Sequence, residues 1–154
     1  GAWYPYSFLA PLEENQPGLD SALRLITGMV ETLLRAGRRR ERIVLLGFSQ
    51  GACLATEYLA RHAARHGGLA AFTGGLIGPP GTRFAYPGSL AGTPCLLAAG
   101  DPDPHVPWQR VEESAKVLGA LGGEVTLRRY PGLPHVVNDD EIAQARALLA
   151  PLAE

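Results

Sequence analysis

The chain has 154 residues, 46% hydrophobic and 19% charged, a composition that supports a sizeable core in one domain (1–154) and excludes a disordered chain. Its formal net charge of -1 argues against nucleic acid as a main partner, and the short basic run Arg38-Arg39-Arg40, broken by Glu41, reads as a solvated loop. No apolar stretch is long enough to span a membrane and no signal peptide is evident, while Cys53 and Cys95, without metal-ligand neighbours, read as buried thiols in a reducing, cytoplasmic compartment.

The chain opens at Gly1-Ala2-Trp3, without an initiator methionine, in what reads as loop. Residues 1–17 hold Trp3, Tyr4, Tyr6 and Phe8 between Pro5, Pro11 and Pro17, a spacing that rules out a regular helix. These aromatics either cover a core edge or wall a pocket. From Leu19 to Ala36, Leu19, Leu23, Ile26, Val30, Leu33 and Leu34 recur at helical spacing, and Gly37 is a plausible stop. A strand over 42–47 follows, then a helix to about His66, which Gly67-Gly68 ends. His62 and His66, with arginine neighbours, are expected on its surface. Residues 69–76 form a second apolar strand, 77–92 a Gly/Pro-rich loop, and 93–99 a third strand. Val111, Ala115 and Leu118 share one face of a helix over 107–121. Residues 124–130 alternate as a strand with one solvated face. Asn138 caps the last helix, with Glu141 three residues on and Asp139 and Asp140 in its first turn. Alternating strands and helices imply a mostly parallel sheet with helices on both faces, in three layers.

One stretch organises the rest. The apolar run Ile43-Val44-Leu45-Leu46 leads into Gly47-Phe48-Ser49-Gln50-Gly51, and the helix-forming run 52–60 leads out. Strand, Gly-x-Ser-x-Gly and helix form the context of a nucleophile elbow. The serine sits on a tight turn that projects its hydroxyl from the sheet, and the flanking glycines let strand and helix approach. The backbone N–H of Gln50, at a helix N-terminus, can then stabilise an oxyanion.

Ligand sites in such sheets lie beyond the carboxyl ends of the strands. Two further segments qualify: Gly100-Asp101-Pro102-Asp103-Pro104-His105-Val106-Pro107, and Pro131-Gly132-Leu133-Pro134-His135. Serine needs a base to take its proton, histidine can take and return it, and a carboxylate orients the histidine. His135 is the candidate base. His105 is its competitor, although it follows the acid so closely that it would have to turn back over its own loop. Spacing alone does not choose between Asp101 and Asp103.

Together these segments resemble the phospholipase/carboxylesterase family of α/β-hydrolases, which includes acyl-protein thioesterases. The resemblance rests on Gly47 to Gly51, Gly100 to Pro107 and Tyr130 to His135, and it covers nearly the whole chain. Trp3-Tyr4-Pro5 is similar to a loop in that family. The family pattern Gly-x-x-Asp-x-x-Val-Pro implies that Asp103 is the acid. The resemblance implies an α/β-hydrolase fold and a serine esterase acting through Ser49, Asp103 and His135 on small-molecule esters or thioesters, without a cofactor. Trp3, Tyr4, Phe8 and Trp108 suggest an apolar substrate pocket.

The chain departs from the family at its front. The earlier strand and the His-Gly loop that supplies a second oxyanion donor are absent, so the N-terminal strands of the fold are expected to be missing. Ile43 to Leu46 reads as a central strand, apolar on successive positions. Its open side calls for an N-terminal fragment, a second copy or the aromatic loop folded back, the first being favoured. The competing readings are a non-catalytic remnant or binding module of the same fold, and a dienelactone-hydrolase-like enzyme, against which Ser49 in place of cysteine speaks. No His/Asp/Glu cluster has metal-ligand spacing, and no glycine-rich loop carries a phosphate-binding lysine.

Overall fold

Strand and helix alternate along the chain except between the second and third strands, which a loop joins, in a computed structural model that describes residues 1–153. The elements are α1 (Leu12–Arg35), β1 (Val44–Phe48), α2 (Gln50–Arg61), β2 (Gly68–Phe72), β3 (Pro94–Asp101), α3 (Trp108–Ala120), β4 (Glu124–Pro131) and α4 (Asp139–Leu149), with short 3-10 turns at Arg40–Arg42 and Ala150–Leu152. The four strands are parallel, in the order β1-β2-β3-β4.

Alternate residues of the strands build two cores. Leu69, Ala71, Cys95, Leu97 and Ala99 face α2 and α3, with α1 packed outside α2. Ala70, Phe72, Leu96 and Ala98 face α4 through Ala145 and Leu148. Helices thus lie on both faces, in three layers. β2 and β3 are buried along almost their whole length, and each fully buried leucine there contributes roughly 2 kcal/mol. Edge strand β4 alternates between exposed and half-buried positions, as its sequence pattern predicts.

β1 has the open side expected of it: it pairs only with β2 and forms an edge of the sheet. Helix α4 covers β2 and β3 and stops short of it. Leu46 and Phe48 are therefore 58% and 41% exposed.

Three boundaries move. Helix α1 begins at Leu12, not after Pro17, so the aromatic loop ends at Pro11. Pro17 removes one helical hydrogen bond, and the carbonyl it frees belongs to the exposed Glu13. Helix α2 ends at Arg61, leaving His66 in irregular backbone. His66 is fully buried rather than on the surface: its backbone N–H donates to Thr93 Oγ1 at 2.9 Å, and burial lowers its pKa. β2 stops at Phe72, because Thr73 adopts a positive φ of 56° and Gly74 packs onto Ala52, where a Cβ would come within 2.5 Å of the alanine methyl.

Candidate active site

Ser49 stands between β1 and α2 at φ 54°, ψ -119°, a backbone setting that non-glycine residues seldom adopt. Two features hold it there. Its N–H donates to the carbonyl of Phe72 at 2.9 Å, and its carbonyl accepts the N–H of Cys53 at 3.0 Å. Gly47 makes the turn possible, since a Cβ on it would overlap the backbone carbonyl of Gly51. Gln50 is the first residue of α2, where a backbone N–H has no intrahelical acceptor.

The carboxyl ends of β3 and β4 bring two more side chains to this turn. Ser49 Oγ lies 2.9 Å from His135 Nε2, and His135 Nδ1 lies 2.7 Å from Asp103 Oδ2. With a carboxylate accepting at Nδ1, the imidazole carries its proton there and presents a free acceptor at Nε2 to the serine hydroxyl. The side chain of Asp103 is fully buried. Burial alone would raise its pKa, but bonds donated by the His105 N–H, the His135 ring and the Val106 N–H outweigh it and hold the carboxyl below its usual range. His135 packs between Phe48 and His105, each with its ring centroid 5.0 Å away. Such a chain of groups can draw a proton from Ser49 and return it to a leaving group.

The two acids left open by spacing are separated by their partners. Asp101 turns away from His135 and accepts from Arg129, whose Nε lies 2.8 Å from Asp101 Oδ2. Trp108 follows it outward. Its ring sits beneath the Arg129 guanidinium, 5.5 Å from the ring centroid, in a separate cleft with Asp101 and Gln109. Trp108 is therefore not among the residues lining the cavity at Ser49.

That cavity, about 510 Å³, lies between Ser49 and the aromatic loop. Tyr4 and Phe8 line it, together with Tyr6, Ser7, Leu9, Cys53, His105 and Val106. Trp3 is outside the lining, with its side chain 44% exposed, and it takes part through its backbone. Its N–H donates to Gln50 Oε1 at 2.7 Å, while Gln50 Nε2 donates to the carbonyl of Tyr4 at 2.8 Å. The buried Asn15 clasps the same loop in the same way, accepting from the Tyr6 N–H and donating to the Ser7 carbonyl, both at 2.8 Å. Sequence reasoning missed Cys53, although it lies one helical turn beyond Ser49 and so on the same face. Burial pushes its thiol up to about 12, which makes it a wall rather than a nucleophile. Among the described residues no three His, Cys, Asp or Glu side chains converge to hold a metal ion, and no helix is long and apolar enough to cross a membrane.

Comparison with known proteins places this geometry in context. A family model described as phospholipase/carboxylesterase matches residues 1–152. An acyl-protein thioesterase 1 of Gibberella zeae is 28% identical over 138 residues, covering 88% of the chain and 59% of that protein. The carboxylesterase SOBER1 of Arabidopsis thaliana is 22% identical over 138 residues, covering 90% of the chain and 60% of that protein. The chain thus spans about three fifths of the length of these two relatives. A crystal structure of a phospholipase/carboxylesterase from Dyadobacter fermentans superposes with a TM-score of 0.91 at 46% identity, covering 96% of this chain and 71% of that one.

Proposed function

The chain belongs to the phospholipase/carboxylesterase family, and from that membership we propose that it carries the catalytic groups of a serine hydrolase acting on small-molecule carboxylic esters or thioesters. The observation that carries this reading is the unbroken hydrogen-bond chain from Ser49 Oγ through His135 to the buried carboxylate of Asp103. The names of the relatives, acyl-protein thioesterase and carboxylesterase, support the substrate class. The two free, buried thiols, Cys53 and Cys95, suit a reducing compartment such as the cytoplasm.

In this reading His135 Nε2 takes the proton of Ser49 as Oγ attacks the carbonyl carbon. The negative charge moves to the carbonyl oxygen, facing the backbone N–H of Gln50. His135 then gives the proton to the departing alcohol or thiol, leaving an acyl group on Ser49. A water molecule repeats the sequence: its proton goes to His135, its oxygen bonds to the acyl carbon, and the proton returns to Ser49 as the acid leaves. Asp103 stays ionised and stabilises the imidazolium at each stage. The apolar side chains of Tyr4, Phe8, Leu9 and Val106 suit the acyl part of the substrate.

One donor of an oxyanion pair contributes about 3 kcal/mol to the transition state, and Gln50 supplies a single one. The open edge of β1, the exposed Leu46 and Phe48, and the share of its relatives' length that the chain spans support a further strand paired with β1, bringing a second donor. The same open edge is what favours the rival reading, a non-catalytic remnant or binding module of this fold. A fluorophosphonate probe on the full-length protein separates the two. Labelling that is lost in Ser49→Ala supports the hydrolase; no labelling of the native protein supports the remnant. Amide exchange along 44–48 tests the added strand, which should protect every N–H on both edges of β1.

A further inference from the structure

The proposed machinery leaves three side chains beside Asp103 without a role: Asp101, Trp108 and Arg129. Asp101 is the last residue of β3, Trp108 is the first of α3, and the loop 102–107 between them carries Asp103. Arg129 lies on β4 opposite Ala99 of β3. Its Nε and a terminal nitrogen both donate to Asp101 Oδ2, and its guanidinium lies over Trp108. One guanidinium therefore holds both ends of the loop. Asp101 is also tied to the neighbouring loop, since its carbonyl accepts the N–H of Gly132 at 2.9 Å, three residues before His135.

The bonds that Asp103 accepts from the His105 and Val106 N–H groups lie within its own loop. They fix the carboxylate relative to the loop but not the loop relative to His135. That second alignment depends on how the loop ends are anchored. We propose that Arg129 is a positioning residue for the Asp103–His135 pair: by gripping Asp101 and Trp108 together, it sets the 102–107 loop so that Asp103 meets His135 Nδ1. This rests on the Ser49–His135–Asp103 reading. The Arg129 side chain is more than half exposed, so its ion pair contributes little to global stability. Its effect on alignment is a separate matter, because a misplacement of about 1 Å can cost about 100-fold in rate.

The test uses the full-length protein and an activated ester, with active sites titrated by fluorophosphonate. Arg129→Ala lowers kcat about tenfold, leaves KM within about twofold and shifts Tm little. The acid limb of its kcat–pH profile moves to lower pH, because a less well aligned carboxylate stabilises the imidazolium less. His105, the other titratable ring against His135, is unchanged in every variant. Arg129→Lys restores part of the rate, and Arg129→Gln repeats the alanine result should the alanine variant fold poorly. Asp101→Asn reproduces the loss, and combining it with Arg129→Ala adds nothing further. A merely structural role would lower the number of titrated sites and leave kcat per site and the pH profile as they were. Wild-type kcat and profile in both Arg129→Ala and Arg129→Gln overturns the proposal, as do losses that multiply in the double variant. Retained activity in Ser49→Ala would instead overturn the underlying reading.

Discussion

Asp103 Oδ2 meets His135 Nδ1 at 2.7 Å across 32 positions of sequence, while the carboxylate two residues earlier, Asp101, is bound to Arg129 instead. The two acids share a loop and a sequence neighbourhood, and differ in what faces them. The Asp103 side chain is fully buried and holds an imidazole; that of Asp101 is partly exposed and holds a guanidinium.

This division predicts unequal consequences for the same substitution. Asp103→Asn removes the acceptor that fixes the His135 tautomer, and kcat falls about 10⁴-fold. Asp101→Asn acts only through loop placement and costs about tenfold. Steady-state kinetics on an activated ester compares them, and a reversed order would show that Asp101 is the working acid.

The proposed mechanism predicts that activity falls on acidification, since an imidazolium cannot accept the proton of Ser49. A rate that stays flat from about pH 8 to 5, with folding intact, rules out a histidine base.

Asp103 also predicts a change in stability with pH. Its folded pKa is depressed. A depressed carboxylate contributes stability that is fully present above its unfolded pKa, about 3.9, and is lost as pH falls through the folded value. The stability difference between the native protein and Asp103→Asn should therefore shrink below about pH 4. Urea unfolding at neutral pH and near pH 3 measures it, and an unchanged difference contradicts the prediction.

Gly100 predicts a coupling between strand and loop. A Cβ there would overlap the carbonyl oxygen of Leu133, in the loop that delivers His135. Gly100→Ala should displace that loop and abolish activity, at a stability cost of about 4 kcal/mol or more. Soluble Gly100→Ala protein with native kcat would show that the loop relaxes without moving His135.

Phe8 predicts a specificity effect. It is buried, lines the cavity at Ser49 and lies within cation–π distance of Arg110. Phe8→Ala should destabilise by about 3 kcal/mol and weaken the preference among acyl chain lengths, each lost methylene contact being worth about 0.8 kcal/mol. Denaturant unfolding and kcat/KM across a series of acyl esters measure the two effects separately.

Local chemistry determines much of this protein. The Gly47 to Gly51 turn, the three strand ends that bear Ser49, Asp103 and His135, and the capping box of Asn138 and Glu141 are properties of short segments. Backbone conformation, hydrophobic period and helix capping act over a few residues, so the sequence expresses them directly. Other features depend on partners remote in sequence. Spacing could not separate Asp101 from Asp103, because the discriminating groups, Arg129 and His135, lie 28 and 32 positions away. Trp108 looks like a pocket wall by composition, yet it stacks on that same arginine. His66 reads as a surface residue from its arginine neighbours, and packing beside Thr93 buries it. Ile43 to Leu46 has the composition of an interior strand, but the position of β1 in the sheet follows from which strands pair with it. Short segments encode their own conformation, and only the folded chain decides which side chain each of them meets.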